Sequence, residues 1–320
     1  MSPLPDTQHW HILGAGAIGS LWGCYAYKAG LPATMILRDQ ATLAAYQTAG
    51  GITARLQSGT EVLPLPAICP EQQAEPIDHL LITTKAHQTL DAITALSSAL
   101  SANATLVLMQ NGLGVAETLA KHFPGAVILQ ASTTEGAYRD KAFSLVHAGR
   151  GQTLLGQSRE LQCTSDVPPK SASELARVAA SLSYSPLNVE PGDNIDAVLW
   201  RKLAINCAIN PLTVKYRCRN GELLDNPLAA STMQAVIDEI VEFSEQTGRG
   251  DWVKNLLQQT RQVAADTALN RSSMLQDALA GRSTELDFIT GELLRRAQEV
   301  NISLPANQKL YDQLQASLNS

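Results

Sequence analysis

The chain has 320 residues, which is enough for two domains, because a single hydrophobic core usually stops growing at about 250–300 residues. Its net charge of −6 comes without a run of Lys or Arg, so neither nucleic acid nor an anionic membrane is expected as a partner. It contains no stretch of about 18 apolar residues, and we therefore expect no membrane-spanning helix.

The five cysteines are scattered and contain no CxxC pair, which argues against both a metal site and a disulfide framework. They are Cys24, Cys69, Cys163, Cys207 and Cys218. The segment Met1–Trp10 is polar and lacks the charged-then-apolar order of a secretory signal. We therefore expect a cytoplasmic protein without a metal ion.

The first half of the chain alternates short apolar runs with helical patterns. Strands are predicted at His9–Leu13, Ala33–Leu37, His79–Thr83, Thr105–Met109, Ala126–Gln130, Ser144–His147 and Thr153–Gly156. Helices are predicted at Ala17–Ala29, about Thr89–Leu100 and about Gly114–Lys121. This order predicts a mostly parallel sheet with helices on both faces.

The pattern changes near Gly192, after which long helical segments dominate and no strand is predicted. The helices are predicted at Asn194–Ile209, Pro227–Thr247, Trp252–Asp266, Ser283–Asn301 and Pro305–Leu318. The predicted fold is therefore an α/β domain over residues 1–192, followed by an all-α domain over residues 193–320.

A glycine-rich segment follows the first predicted strand and opens the first predicted helix. It consists of Gly14, Ala15, Gly16, Ala17, Ile18 and Gly19. Gly14 permits a tight turn, Gly16 lets the backbone approach a diphosphate, and Gly19 lets the helix pack closely on the strand. The helix N-terminus adds amide donors and a partial positive charge. A glycine-rich turn without a ligand is the alternative, but this context predicts a dinucleotide-binding domain of the Rossmann type.

The end of the second predicted strand bears on the choice between NAD and NADP. Arg38 comes directly after Leu37, and a guanidinium matches the 2′-phosphate of NADP. Asp39 follows at once, and an acidic side chain facing the ribose would favour NAD. The sequence favours NADP and leaves NAD open through Asp39.

Polar residues also follow two further strands, at the carboxyl ends where parallel sheets bind ligands. Lys85 and Gln88 come after one strand and are candidates for cofactor contacts. Asn111 comes after another, where it could donate to a ribose hydroxyl or a substrate oxygen. A solvated lysine and an ordinary Asn-Gly turn are the alternatives.

The most specific segment is a mostly apolar helix that carries Lys202, Asn206 and Asn210 as one polar stripe. Unpaired buried polar groups cost about 1–3 kcal/mol each, so the stripe either lines a ligand site or bonds to neighbouring helices. A lysine in an apolar setting is harder to explain structurally, because an ammonium is expensive to desolvate. Glu285 by itself is typical of a helix start.

With these residues assembled, the chain resembles the ketopantoate reductase family over nearly its whole length. The matching motifs are Gly14–Gly19, Leu81–Lys85 with Gln88, Asn111-Gly112, Trp200–Thr213, Asn220–Leu223, and Ser272–Asp277 leading to Thr284-Glu285. The resemblance implies that NADPH gives a hydride to the C2 carbonyl of 2-dehydropantoate. The product, pantoate, is a precursor of pantothenate and coenzyme A.

The resemblance also implies a role for each site residue. Lys202 would be the general acid that protonates the developing alkoxide, and Glu285 would orient Lys202 and touch the substrate or cofactor. The substrate would be held by Asn111, Asn206, Asn210, Asn220, Asn270 and Ser273. NADP would be held by the glycine-rich segment, Arg38, Lys85, Gln88, Asn111, Glu285 and the backbone at Ala137. The chain would act as a monomer or homodimer.

Two other functions stay open. The chain could be an NAD(P)-dependent reductase of a different small 2-oxo acid, although the polar residues beyond Lys202 favour a substrate with both a carboxylate and a hydroxyl. It could also be a non-catalytic NADP-binding sensor, because Rossmann folds host many functions. A sensor does not need a positioned acid such as Lys202.

Overall fold

The computed structural model describes residues 8–162 and 167–318, so that Cys163 lies outside the described residues. The chain divides into two compact units. The first contains residues up to Gln110 together with Val115–Asp196, and the second contains Asn111–Gly114 together with Ala197–Ser320. Within the described ranges, no helix is both long and apolar enough to span a bilayer.

The first unit is built on two sheets. Its strands are β1 Trp10–Leu13, β2 Ala33–Ile36, β3 Ile52–Leu56, β4 Gly59–Leu63, β5 Ala67–Ile68, β6 Ile77–Ile82, β7 Leu100–Leu108, β8 Val127–Thr133, β9 Gly136–Tyr138, β10 Ser144–Gly149, β11 Thr153–Gly156 and β12 Val189–Pro191. The larger sheet has the order β12-β11-β8-β7-β6-β1-β2-β5. All its neighbouring strands are parallel except β8 and β11.

Six α-helices belong to this unit within the described ranges. They are α1 Ala17–Lys28, α2 Gln40–Thr48, α3 Ala86–Thr94, α4 Val115–His122, α5 Arg159–Gln162 and α6 Ala172–Ser181, with a 3-10 turn at Pro70–Gln72. Because β1, β2, β6 and β7 run parallel, the segments that follow them lie at one edge of the sheet. That edge carries the glycine-rich segment, Arg38 and Lys85.

The core explains why α1 is apolar on nearly every side. Trp10 and Trp22 are fully buried. Both indole N–H groups donate to the end of α6. That of Trp10 donates to Ser181 Oγ at 3.1 Å, and that of Trp22 donates to the carbonyl of Leu182 at 3.2 Å. Helix α1 also packs against β9 and β10 of the smaller sheet, whose order is β4-β3-β10-β9. It is therefore enclosed by the core, as its sequence requires.

The second unit is helical, and no described residue from Asp193 onward lies in a strand. Its helices are α7 Ile195–Tyr216, α8 Glu222–Asp225, α9 Pro227–Gln246, α10 Leu256–Asp266, α11 Ser273–Leu279, α12 Glu292–Glu299 and α13 Pro305–Leu318. A 3-10 turn covers Gly250–Val253 and a π-helical turn covers Asp287–Gly291. The predicted fold class, an α/β sheet domain followed by an all-α domain, is confirmed.

Two predicted helices differ from the structure, and one sheet was not predicted. The predicted helix Asn194–Ile209 continues to Tyr216, because burial of residues such as Leu212 offsets the cost of about 3 kcal/mol for the internal Pro211. The predicted helix Ser283–Asn301 begins instead with the π-helical turn. The smaller sheet was not predicted, since its strands come from distant parts of the chain.

Candidate active site

The glycine-rich segment lies between the ends of three neighbouring strands. Gly14 N donates to the carbonyl of Ile36 at 3.3 Å, and the Thr83 hydroxyl lies 3.0 Å from the carbonyls of Leu13 and Gly14. Gly14 has a φ of 105°, which a residue with a side chain rarely adopts. A Cβ at Gly19 would overlap the carbonyl of Gly14 and the Thr83 hydroxyl, so helix α1 can approach this closely only through a glycine.

The N-terminus of α1 is suited to an anion. Gly16 is the N-cap residue, no side chain caps the helix, and no acidic residue lies in its first turn. The backbone donors there are those that the helix itself leaves unbonded. A Cβ at Gly16 would meet only the carbonyl of Thr83, at 3.7 Å, so the protein leaves open space beside the segment. These residues fit the diphosphate of a dinucleotide.

Arg38 and Asp39 follow β2 with different roles. Asp39 is the N-cap of α2, and its Oδ1 accepts hydrogen bonds from the Thr42 amide at 2.7 Å and the Thr42 hydroxyl at 2.6 Å. Together these bonds lower the pKa of Asp39 to about 2. Arg38 Nε donates to Asp39 Oδ2 at 2.8 Å, while 84% of the Arg38 side chain is exposed. The Asp39 carboxylate therefore caps helix α2, whereas the Arg38 guanidinium is exposed to solvent.

Lys85 is held in place by a polar network at the end of β6. It is the N-cap residue of α3, and its carbonyl accepts from the Thr89 hydroxyl at 3.1 Å. Gln110, at the end of β7, donates to the carbonyl of Thr84 at 2.7 Å and contacts the Thr89 hydroxyl. Gln88 is exposed on α3. No role was predicted for Gln110, although its position after a parallel strand was a usable signal.

Asn111 begins a short loop that belongs to the second unit. Gly112 has a φ of 85°, and a Cβ there would overlap the carbonyl of Phe288 in the π-helical turn. The amide of Leu113 donates to the same carbonyl at 3.0 Å. The π-helical turn begins two residues after Glu285. The backbone carbonyl of Glu285 accepts hydrogen bonds from the backbone amides of Phe288 and Ile289. A π-helical turn is rare and often lies at a functional site.

Lys202 and Glu285 form the charged centre of the second unit. Lys202 is half-buried on α7, and Glu285 is 4% exposed. Burial lowers the pKa of Lys202 from 10.5 to about 8, and the charge of Glu285 opposes this shift. The two residues are 83 positions apart in the chain, yet the fold makes them interact. The result is an ammonium that gives up its proton more readily than an ordinary lysine does.

The asparagines predicted near Lys202 differ in burial. Asn206 is half-buried on α7, while Asn210 and Asn220 are 7% and 8% exposed. Asn220 Nδ2 donates to the Thr267 hydroxyl at 2.9 Å. Asn220 Oδ1 is buried without a hydrogen-bond partner among the described residues. An unsatisfied buried acceptor is costly, and a ligand that donates to it would remove the cost.

Asn270 and Ser273 are both exposed. The carbonyl of Asn270 accepts from the Asn220 amide at 3.0 Å, so its backbone positions Asn220. Ser273 is the first residue of α11, next to the N-cap Ser272. Ser272 is buried, and its hydroxyl lies 2.6 Å from the Thr213 hydroxyl in the last turn of α7. No role was predicted for Ser272, although it begins the Ser272–Asp277 motif.

Ala137 lies on β9, opposite His147 on β10. His147 is buried between Tyr25 of α1 and Glu135. Its Nδ1 lies 2.9 Å from the Tyr25 hydroxyl, and its Nε2 lies 2.8 Å from a carboxylate oxygen of Glu135. Burial raises the pKa of Tyr25. This trio was not predicted, because its members come from separate elements and share no motif.

Two family models match the chain. Ketopantoate reductase PanE/ApbA covers residues 10–160, and ketopantoate reductase PanE/ApbA C terminal covers residues 194–318. The 2-dehydropantoate 2-reductase of Vibrio cholerae serotype O1 is 34% identical over 309 residues, covering 95% of this chain and 95% of that protein. Both domains and nearly the full length are therefore matched.

Solved structures show the same fold. A PanE/ApbA family ketopantoate reductase from Ralstonia eutropha JMP134 has a TM-score of 0.83 and 25% identity, covering 98% of this chain and 99% of its own. A D-mandelate dehydrogenase solved with NADH and anilino(oxo)acetate has a TM-score of 0.85 and covers 98% of this chain and 100% of its own. Its identity is 22%, so this likeness concerns the fold alone. On the matched models and relatives, the chain belongs to the ketopantoate reductase family of NAD(P)-dependent oxidoreductases.

Proposed function

We propose that this chain reduces 2-dehydropantoate to pantoate with NADPH, and that Lys202 is the general acid. The observation that carries the proposal is the half-buried Lys202, whose pKa burial lowers to about 8 against the opposing charge of Glu285. A lysine tuned toward neutral pH suits proton transfer, because a general acid works best with its pKa near the working pH.

The chemistry needs both the charge and the proton of Lys202. When bound, NADPH supplies the hydride that adds to the C2 carbonyl. Negative charge then builds on the carbonyl oxygen, and the Lys202 ammonium stabilises it before donating a proton. Glu285 keeps Lys202 protonated at neutral pH, since a nearby carboxylate favours the ammonium form. Glu285 would also orient Lys202 and contact the substrate or cofactor.

NADPH would be held mainly by residues at the edge of the larger sheet. The amides at the start of α1 bind the diphosphate, and Arg38 binds the 2′-phosphate. The capping role of Asp39 supports NADP over NAD, because its Oδ1 is committed to Thr42. Further contacts come from Lys85, Gln88, Asn111, Glu285 and the backbone at Ala137.

The substrate offers a carboxylate and a hydroxyl, which polar side chains on the second unit would recognise. The unsatisfied Oδ1 of Asn220 suits a hydroxyl donor, and the amide groups of Asn206 and Asn210 suit a carboxylate. Asn111, Asn270 and Ser273 complete the proposed set. We also propose residues 1–192 as the NADP-binding domain and residues 193–320 as the substrate domain of a cytoplasmic monomer or homodimer.

The test is NADPH oxidation by the purified chain with 2-dehydropantoate, beside 2-oxo acids that lack its hydroxymethyl group and with NADH as the comparison cofactor. We expect the highest kcat/KM for 2-dehydropantoate with NADPH. Faster turnover of a simple 2-oxo acid would favour the second candidate, a reductase of another substrate, which the fold shared with D-mandelate dehydrogenase keeps open. NADPH binding without turnover of any 2-oxo acid would indicate a sensor.

A further inference from the structure

Arg139 reaches the glycine-rich segment from a distant part of the chain. It follows β9 directly, and its Nη1 donates to the carbonyl of Ala15, 124 residues away in sequence. Ala15 lies between Gly14 and Gly16, the residues that shape the anion site at the start of α1. No motif or resemblance pointed to Arg139, which is exposed.

The fold positions Arg139 through the buried trio of Tyr25, His147 and Glu135. His147 pairs with Ala137 across β10 and β9, and its Nδ1 lies 2.9 Å from the hydroxyl of Tyr25 on α1. Strand β9, which directly precedes Arg139, is therefore tied to the same helix whose N-terminus forms the anion site. Because the trio is buried, this tie is shielded from solvent.

The charges around Arg139 favour an anionic ligand. No acidic residue lies in the first turn of α1, so the helix N-terminus and the guanidinium add to one another. Asp140 is next in the chain, but its carboxylate contacts the Ser144 hydroxyl and lies 4.0 Å from Arg55. The positive charge of Arg139 attracts a phosphate, and this attraction does not depend on which hydrogen bonds the guanidinium makes.

We propose that Arg139 is a cofactor-binding residue that contacts the diphosphate of the dinucleotide while it holds the carbonyl of Ala15. This inference rests on the proposed function, because it takes NADPH as the ligand. The diphosphate is common to NADPH and NADH, whereas the 2′-phosphate proposed for Arg38 is present only in NADPH. Arg139 therefore contributes affinity without choosing between the two cofactors.

The test is the Kd of NADPH and of NADH, measured by calorimetry without substrate, for the wild type, R139Q and R139K. We expect R139Q to raise both Kd values by a similar factor of about tenfold, the size of one charge-assisted hydrogen bond. R139K keeps the charge and should recover most of the affinity at low ionic strength. R150Q is the matched control, because Arg150 is exposed in the same unit and bonds to Gln57 at 2.9 Å.

Unchanged Kd values in R139Q would overturn the inference, and so would a loss confined to NADPH. R139K as weak as R139Q, with a loss independent of salt, would also overturn it, since Arg139 would then only hold Ala15. Wild type that binds neither dinucleotide would refute the proposed function as well. Wild type that binds both, with R139Q equal to it, would refute the Arg139 contact alone.

Discussion

Replacing Lys202 by methionine tests the acid directly. Methionine keeps an unbranched apolar stem on α7 but has no proton to donate. General acid catalysis typically contributes about 10²–10⁴-fold, so we expect kcat of K202M to fall on the order of 10²–10⁴-fold. The affinity for NADPH should stay close to that of the wild type, because most of its proposed contacts lie elsewhere.

The pH dependence of kcat/KM gives a second measure of the same group. Lys202 must be protonated to act, and burial lowers its pKa to about 8, so kcat/KM of the wild type should fall as the pH rises through about 8. Glu285 raises this pKa against burial. E285Q should therefore move the fall to lower pH, and K202M should lack it.

The assay follows NADPH absorbance with 2-dehydropantoate across this pH range. K215M is the matched control, because Lys215 is an exposed lysine at the end of the same helix. We expect K215M to keep the turnover and pH profile of the wild type. Turnover of K202M near that of the wild type, or a fall at the same pH in E285Q, would refute the assigned roles.

Three further predictions concern the cofactor and the stability of the fold. Arg38→Ala should weaken NADPH but not NADH, and calorimetry that finds an unchanged ratio of the two Kd values would remove Arg38 from the 2′-phosphate. Gly19→Ala should abolish NADPH binding or folding, because its Cβ overlaps the backbone, whereas Gly149→Ala meets nothing within 4 Å and should behave as wild type in binding and thermal unfolding. Between about pH 8 and 10.5, Lys202 is protonated in the unfolded chain but not in the folded chain. Burying the ammonium therefore destabilises the wild type fully below about pH 8, and this destabilisation disappears as the pH rises toward 10.5. K202M should therefore raise the free energy of unfolding, measured in urea, by about 1–3 kcal/mol at pH 7. The difference from the wild type should close toward pH 10.5. A difference that does not change with pH would show that it does not come from burying the Lys202 ammonium.

The conformation of the glycine-rich segment was largely predictable from local sequence. Gly14 is required by its positive φ and Gly19 by the close approach of helix α1, and both constraints act over a few residues and leave a readable spacing. The role of the Asp39 carboxylate was not predictable in this way. The Asp39 carboxylate accepts two hydrogen bonds from Thr42 as a helix cap, and only the folded turn shows this.

The sequence by itself determined the α/β and all-α halves, the glycine-rich segment and the polar stripe at Lys202, because each depends on periodicity or spacing within one element. The tertiary structure decided what surrounds them. It brings Glu285 near enough to Lys202 to oppose the effect of burial on its pKa, and it carries Arg139 to the carbonyl of Ala15. Burial and charge act through space, so residues distant in the chain tune a group whose own neighbours reveal only that it is a lysine on an apolar helix.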